Sequence, residues 1–147
     1  MKLLLILFLI QNLCAQQPNE KSLIENSVNF NDLIKHEDIF YLQQKDNLYT
    51  GSVVVLDSLN KIILEGQMID GKTTGMWTHY FPSGEIHATF TVRNNELNGD
   101  FKQYYPNTTL HKEGSFVDSK MDGIWKLYNK NSQLLFSIQY DIGKVVY

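Results

Sequence analysis

At 147 residues, with 43% hydrophobic and 20% charged side chains, the chain is long enough for one modest domain and too apolar to remain disordered. A net charge of −3 excludes a nucleic-acid role built on a basic face, because such a face must neutralise phosphates. Eight Tyr, eight Phe and two Trp beside nine Gly favour strands and tight turns over helices.

In chain order, Lys2, the unbroken apolar run at residues 3–10 and a more polar stretch closing on Ala15 read as a secretory signal peptide over residues 1–15, with cleavage after Ala15. The run is shorter than the roughly 20 residues that cross a bilayer as a helix. The expected location is secreted or periplasmic. Cys14 leaves an alternative open. As the lipidated first residue of a lipoprotein it would anchor the chain to a membrane, although Gln11, Asn12 and Leu13 are not the small residues such a site wants before its cysteine. Otherwise the only cysteine leaves with the signal, and core and repeat stacking must hold the fold without a disulfide.

Residues 16–48 are expected to be a flexible segment followed by an N-terminal cap. Residues 16–26 are polar. Residues 27–36 suit a short helix with Val28, Leu33 and Ile34 inward, Ile39, Phe40, Tyr41 and Leu42 a strand, and Lys45, Asp46 and Asn47 a turn. A cap is needed because the end unit of a repeat array otherwise exposes an apolar edge.

Residues 49–147 contain four 24-residue repeats. Gly51, Gly75, Gly99 and Gly123 mark the period, followed two positions on by Val53, Trp77, Phe101 and Trp125. Leu56, Tyr80, Tyr104 and Tyr128 share a column, and so do Ile62, Ile86, Leu110 and Leu134. Each unit reads as a β-hairpin. In the second, residues 76–81 and 86–92 are strands around the turn Pro82-Ser83-Gly84-Glu85. Longer inter-repeat turns, residues 70–74, 93–98 and 118–122, are expected to end on or just before the repeat glycine, a residue free to adopt φ > 0. A four-residue loop pairs Phe81 with Ile86, His79 with Ala88 and Trp77 with Phe90. That register sorts Trp77, His79, Phe81, Ile86, Ala88, Phe90 and Val92 onto one face and His87 onto the other. In the fourth unit Trp125, Leu127, Leu134, Phe136, Ile138 and Tyr140 fall together. In the third, Phe101 faces Gly114 and is expected to cover it, while Gln103 and Lys112 make this unit the most polar inside.

The segment Gly75-Met76-Trp77-Thr78-His79-Tyr80-Phe81-Pro82-Ser83-Gly84-Glu85-Ile86, with Gly123-Ile124-Trp125-Lys126-Leu127-Tyr128, resembles the bacterial variant of the MORN repeat. The resemblance covers about two thirds of the chain. It implies an all-β fold: a single-layer antiparallel meander of stacked β-hairpins behind the small cap. It also implies an interaction scaffold with no catalytic residues of its own. Some bacterial members carry antitoxin-like labels, so the alternative is an immunity protein binding one cognate toxin.

The residues agree with a non-enzyme. No nucleophile motif, zinc-protease helix or phosphate loop is present, and the carboxylates Glu65, Glu85 and Glu113 are scattered rather than paired. His87 and His111 share a column, but equivalent positions two strands apart stand about 9.5 Å from each other, too far to share a zinc ion comfortably. Residues 118–123 place Lys120 where a calcium loop needs an oxygen ligand. No metal or cofactor is expected. The residues chosen as a partner-binding surface are the column Tyr80, Tyr104 and Tyr128 with Lys102 and Lys126, weighed against each Tyr simply packing over its own hairpin turn. The apolar stretch at residues 134–146 is expected to form an edge that pairs with a second copy as a homodimer, or with another partner.

Overall fold

The computed structural model describes residues 20–42 and 47–147. The signal-peptide reading of residues 1–15 and Cys14 lies outside the described residues, as does most of the turn read at Lys45 and Asp46.

The N-terminal part holds a helix α1 (Glu20–Glu25), a short strand β1 (Val28–Asn29), a 3-10 turn (Phe30–Asp32) and the hairpin β2 (Leu33–His36) and β3 (Ile39–Leu42). Two expectations are corrected here. Residues 20–25 of the polar segment are helical. The helix read across residues 27–36 is instead extended chain, because its apolar residues pair as strands: Leu33 with Leu42 and Ile34 with Tyr41.

The repeat strands follow as a meander: β4 (Gly51–Leu56), β5 (Ile62–Ile69), β6 (Lys72–Tyr80), β7 (Ile86–Arg93), β8 (Glu96–Tyr104), β9 (Leu110–Val117), β10 (Lys120–Tyr128), β11 (Leu134–Asp141) and β12 (Lys144–Val146). Each pairs antiparallel with the next, and β1 adds in parallel at the β4 edge to complete a ten-stranded sheet. The two-stranded β2–β3 sheet lies over the first repeats only. Its Leu33, Phe40 and Leu42, with Val28 and Phe30, pack against Tyr49, Val53, Met68, Trp77 and Val92. That cluster is the main core, and Met68 is completely buried.

Two turn types alternate. Within repeats, the N–H of Asp57, Phe81, Tyr105 and Asn129 donates to the carbonyl four residues on, and Asn60, Gly84, Thr108 and Ser132 sit at positive φ. This is a type I turn closed by a bulge. The bulge corrects the expected register: Tyr80, not Phe81, pairs with Ile86. Between repeats the turns have only two residues, both at positive φ: Asp70-Gly71, Asn94-Asn95, Asp118-Ser119 and Ile142-Gly143. These are type I′ geometries, whose twist matches that of the flanking strands. The expected five- and six-residue turns are therefore corrected to two. The repeat glycines Gly75, Gly99 and Gly123 lie inside strands instead, at positive φ, beside irregularities in the pairing with the preceding repeat. Neighbouring repeats are also tied turn to turn. Gly71, Asn95, Ser119 and Gly143 each donate an N–H to the carbonyl of Tyr49, Thr73, Leu97 and Met121 respectively, at 2.6–3.1 Å.

Ile142 is the odd residue among these turns. A β-branched side chain at φ 41 is strained where the other repeats place Asp or Asn. Ile142 is half exposed, so its burial contributes little. Ile142→Asn is expected to raise stability by about 0.5–1 kcal/mol, read as a higher urea midpoint with unchanged slope.

Candidate functional site

Two faces of the sheet offer chemistry. On the face away from the core, Tyr80 Oη donates to Glu65 Oε1 at 2.6 Å and Tyr128 Oη donates to Glu113 Oε1 at 2.8 Å. Lys126 Nζ lies 3.4 Å from the same Glu113 oxygen. The phenol of Tyr80 is held well above its ordinary pKa by burial and by the bonded carboxylate. The Tyr128 hydrogen bond, with Lys126 and Lys102 nearby, outweighs burial and pulls the Glu113 carboxyl below its usual range. Each of these Tyr therefore binds back to the preceding repeat. The hydrogen bond of each hydroxyl thus crosses the repeat boundary rather than reaching its own hairpin turn. Tyr104 differs, because the residue in the Glu65 and Glu113 column is Thr89. Lys102 pairs in register with both Thr89 and Glu113. The structure thus brings Tyr128, Lys126 and Lys102 around Glu113 and leaves Tyr80 tied to Glu65 one repeat-pair away.

On the core face, the small residues decide the packing. The rings of Trp77 and Trp125 lie directly over Gly66 and Gly114: a Cβ on either glycine would come within 2.1 and 2.3 Å of the indole. Trp125 therefore covers Gly114, correcting the expectation that Phe101 does so. Phe101 stacks beside it, with ring centroids 5.4 Å apart. In the intervening repeat the same column holds Phe90, paired with Phe101. Copies one and three thus share a Glu-Gly dipeptide (Glu65-Gly66, Glu113-Gly114) that copies two and four lack, so the true period of the packing is two repeats. That signal was present in the sequence and was missed by reading every column at the single period.

A polar stripe crosses this face. His79 and His87 were expected on opposite faces, yet their Nδ1 atoms are 3.0 Å apart. The pairing irregularity between His79 and Tyr80 is the cause. His87 lies where β7 slips by one residue, and its ring reaches His79 and stacks on Phe81 with centroids 4.4 Å apart. Gln103 Nε2 is 3.0 Å from His87 Nε2. The amide donating there assigns the His87 proton to Nδ1, from which it donates to His79. His111 stacks on Tyr105 in the equivalent slip one repeat later, at 4.3 Å. Lys112 Nζ lies 5.5 Å from the ring centres of both Phe101 and Trp125. No group of three or more His, Cys, Asp or Glu among the described residues could hold a metal ion.

Burial, and then the neighbouring His87, lower the His79 pKa. Burial, Lys112 and His87 lower that of His111. The groups facing these rings are all neutral or basic: Leu64 from β5, Gln103 from β8 and Lys112 from β9. An unfolded histidine takes up its proton near pH 6.5 and the folded ones only lower, so the unfolded state binds more protons in that window. Stability is therefore expected to fall as pH drops through 6.5 and to level off below the folded values. The Glu113 contribution is lost separately, in more acid, as pH falls below 4.5 through its depressed value. Thermal melts at neutral and mildly acid pH check this, and His79→Gln should shrink the difference.

The family model of the MORN repeat variant matches residues 97–118 and 121–141. These spans comprise nearly all of the β8–β9 and β10–β11 hairpins, so these two hairpins of the repeat array match the MORN repeat variant. MORN repeats are in general protein-interaction or membrane-binding modules, and the match suggests a repeat binding module. Neither the curated proteins nor the solved structures gave a match.

Proposed function

We propose that the chain is an exported, non-catalytic repeat module that binds a protein partner through the hairpin array. One observation carries this reading. The covering layer of β2 and β3 stops over the first two repeats, while the aromatic face continues through Phe101, Phe116 and Trp125 to a half-exposed Phe136. Exposed apolar surface of this kind, continuous with a packed core, marks an interaction site. Leu134 and Phe136, expected to lie inside, are exposed, with no element among the described residues covering them. β12 pairs only with Gln139, Tyr140 and Asp141, which leaves the rest of β11 with one strand neighbour. A second copy can pair there, giving the homodimer, and sedimentation at high micromolar concentration reads it.

The signal-like residues 1–15 support export, and N-terminal sequencing of the native protein tests it. A start at Gln16 is expected, and a lipidated Cys14 would instead show a membrane-anchored form. Affinity capture from the native host with quantitative mass spectrometry tests the module itself. Recovery of a defined partner is expected, and a single stoichiometric small protein would point to the immunity alternative. Background alone would overturn the reading. A triple Tyr80, Tyr104 and Tyr128 to Ala variant that still folds and keeps the partner would remove the Tyr column from the binding surface.

A further inference from the structure

We propose that the aromatic face of the third and fourth repeats, centred on Lys112, docks an acidic protein segment whose carboxylates alternate with aromatic or aliphatic side chains. The proposal rests on the interaction-module reading and adds the face and the partner's chemistry. The charge pattern selects the partner. Within strands β5 to β11 the carboxylates Glu65, Glu96, Asp100, Glu113, Asp122 and Asp141 all fall on the positions that alternate with the core-facing ones, and Asp70, Glu85 and Asp118 lie in turns. The core-facing positions carry only basic or neutral groups: His79, Gln103, Lys112 and, at the slips, His87 and His111. The sheet has segregated its carboxylates to the opposite side. An incoming acidic segment meets no like charge on this face, and Lys112 has no carboxylate partner in its own sheet strands.

Lys112 is also prepared for such a group. Its ammonium is framed by Phe101 and Trp125, and Gln103 is its in-register neighbour. The aromatic frame shields the charge from water on two sides, which strengthens its attraction to a carboxylate arriving from the open side. His87 and His111, at the one-residue slips of their strands, flank the position and bring no negative charge to it. Apolar side chains of the partner would cover Phe116 and the half-exposed Phe136. An anionic membrane is the weaker candidate. Surface binding to lipid gains about 1 kcal/mol per basic residue near the headgroups, and this face carries one lysine where polybasic sites use four to eight.

The test uses the purified protein and a synthetic peptide alternating Glu with Phe and Leu, with a Lys-for-Glu counterpart as control. Binding is followed by tryptophan fluorescence and calorimetry. The acidic peptide is expected to bind and the basic one not. Lys112→Gln should weaken binding about fivefold or more, while Lys61→Gln, exposed in the turn of the first repeat, leaves it unchanged. Phe136→Ser, at an exposed position, should also weaken it and provides a second variant should Lys112→Gln disturb the fold. Equal binding of both peptides, or no response to either variant, overturns the proposal. Failure of the acidic peptide alongside tight binding to phosphatidylglycerol vesicles overturns it in favour of a membrane. A native partner captured from the host but indifferent to Lys112→Gln removes this face alone, and the interaction-module reading stands.

Discussion

Gly66→Ala is expected to destabilise the protein by about 2–3 kcal/mol or more, and Gly114→Ala by a similar amount. Neither glycine needs its freedom for backbone reasons. Each is small because an indole lies on it: a Cβ would sit 2.1 Å from Trp77 at Gly66 and 2.3 Å from Trp125 at Gly114. Trp77 and Trp125 are almost fully buried, with 3% and 5% of their surface exposed, so neither ring can lift without opening the core. At Gly75 and Gly84 an added Cβ meets nothing, and the cost of alanine is only that of positive φ, about 1 kcal/mol. Denaturant unfolding of the four single variants separates the two causes. A double variant sharpens the test: with Trp77→Leu in place, Gly66→Ala should lose much of its effect, a coupling of about 1 kcal/mol or more. Equal losses at Gly66 and Gly75 would contradict the steric account.

Phe30→Ala combined with Phe40→Ala is expected to cost about 3–4 kcal/mol, below the sum for two fully buried rings because both are only partly buried. The two rings contact each other at 4.9 Å, and Phe30 meets Trp77 edge-on at 6.4 Å. Together they form much of the cover over the first core cluster, and Phe30 forms one wall of the 260 Å³ cavity bounded by Leu64, Phe90 and Leu97. Their loss would expose Met68 and Trp77 to water and extend the open aromatic surface along the whole array. The measurable result is a lower melting temperature with increased binding of a hydrophobic dye at neutral pH. The matched loss on the far repeats, Phe136→Ala, should cost less than 1 kcal/mol, because that ring is already half exposed. A similar cost at both ends would show that the N-terminal segment does not act as a cover.

Much of this architecture is written in the columns. The glycine period and the Trp and Phe column two residues on placed eight strands and their pairing Trp77 with Phe90 and Phe101 with Gly114. The local rules are strong there: strand pairing repeats only if apolar side chains return to one face. The N-terminal segment was misread where its apolar residues had no period. Val28, Phe30 and Leu33 earn their conformation from the core they cover rather than from their own sequence, as tertiary contacts override weak local preference.

The amino-acid sequence by itself determined the unit, its length and most of its faces, because each of these follows from side-chain periodicity. Tertiary structure alone decided the rest. The one-residue slip after each within-repeat turn carries His87 to His79, and it depends on the backbone closing a type I turn with a residue at positive φ. The stacking of Trp125 on Gly114, and the hydrogen bonds of the Tyr80 and Tyr128 hydroxyls to the Glu of the preceding repeat, depend on which strands become neighbours. The same is true of the face left open. Where the cover stops is set by how far β2 and β3 reach across the sheet, a distance in space that no column of residues records.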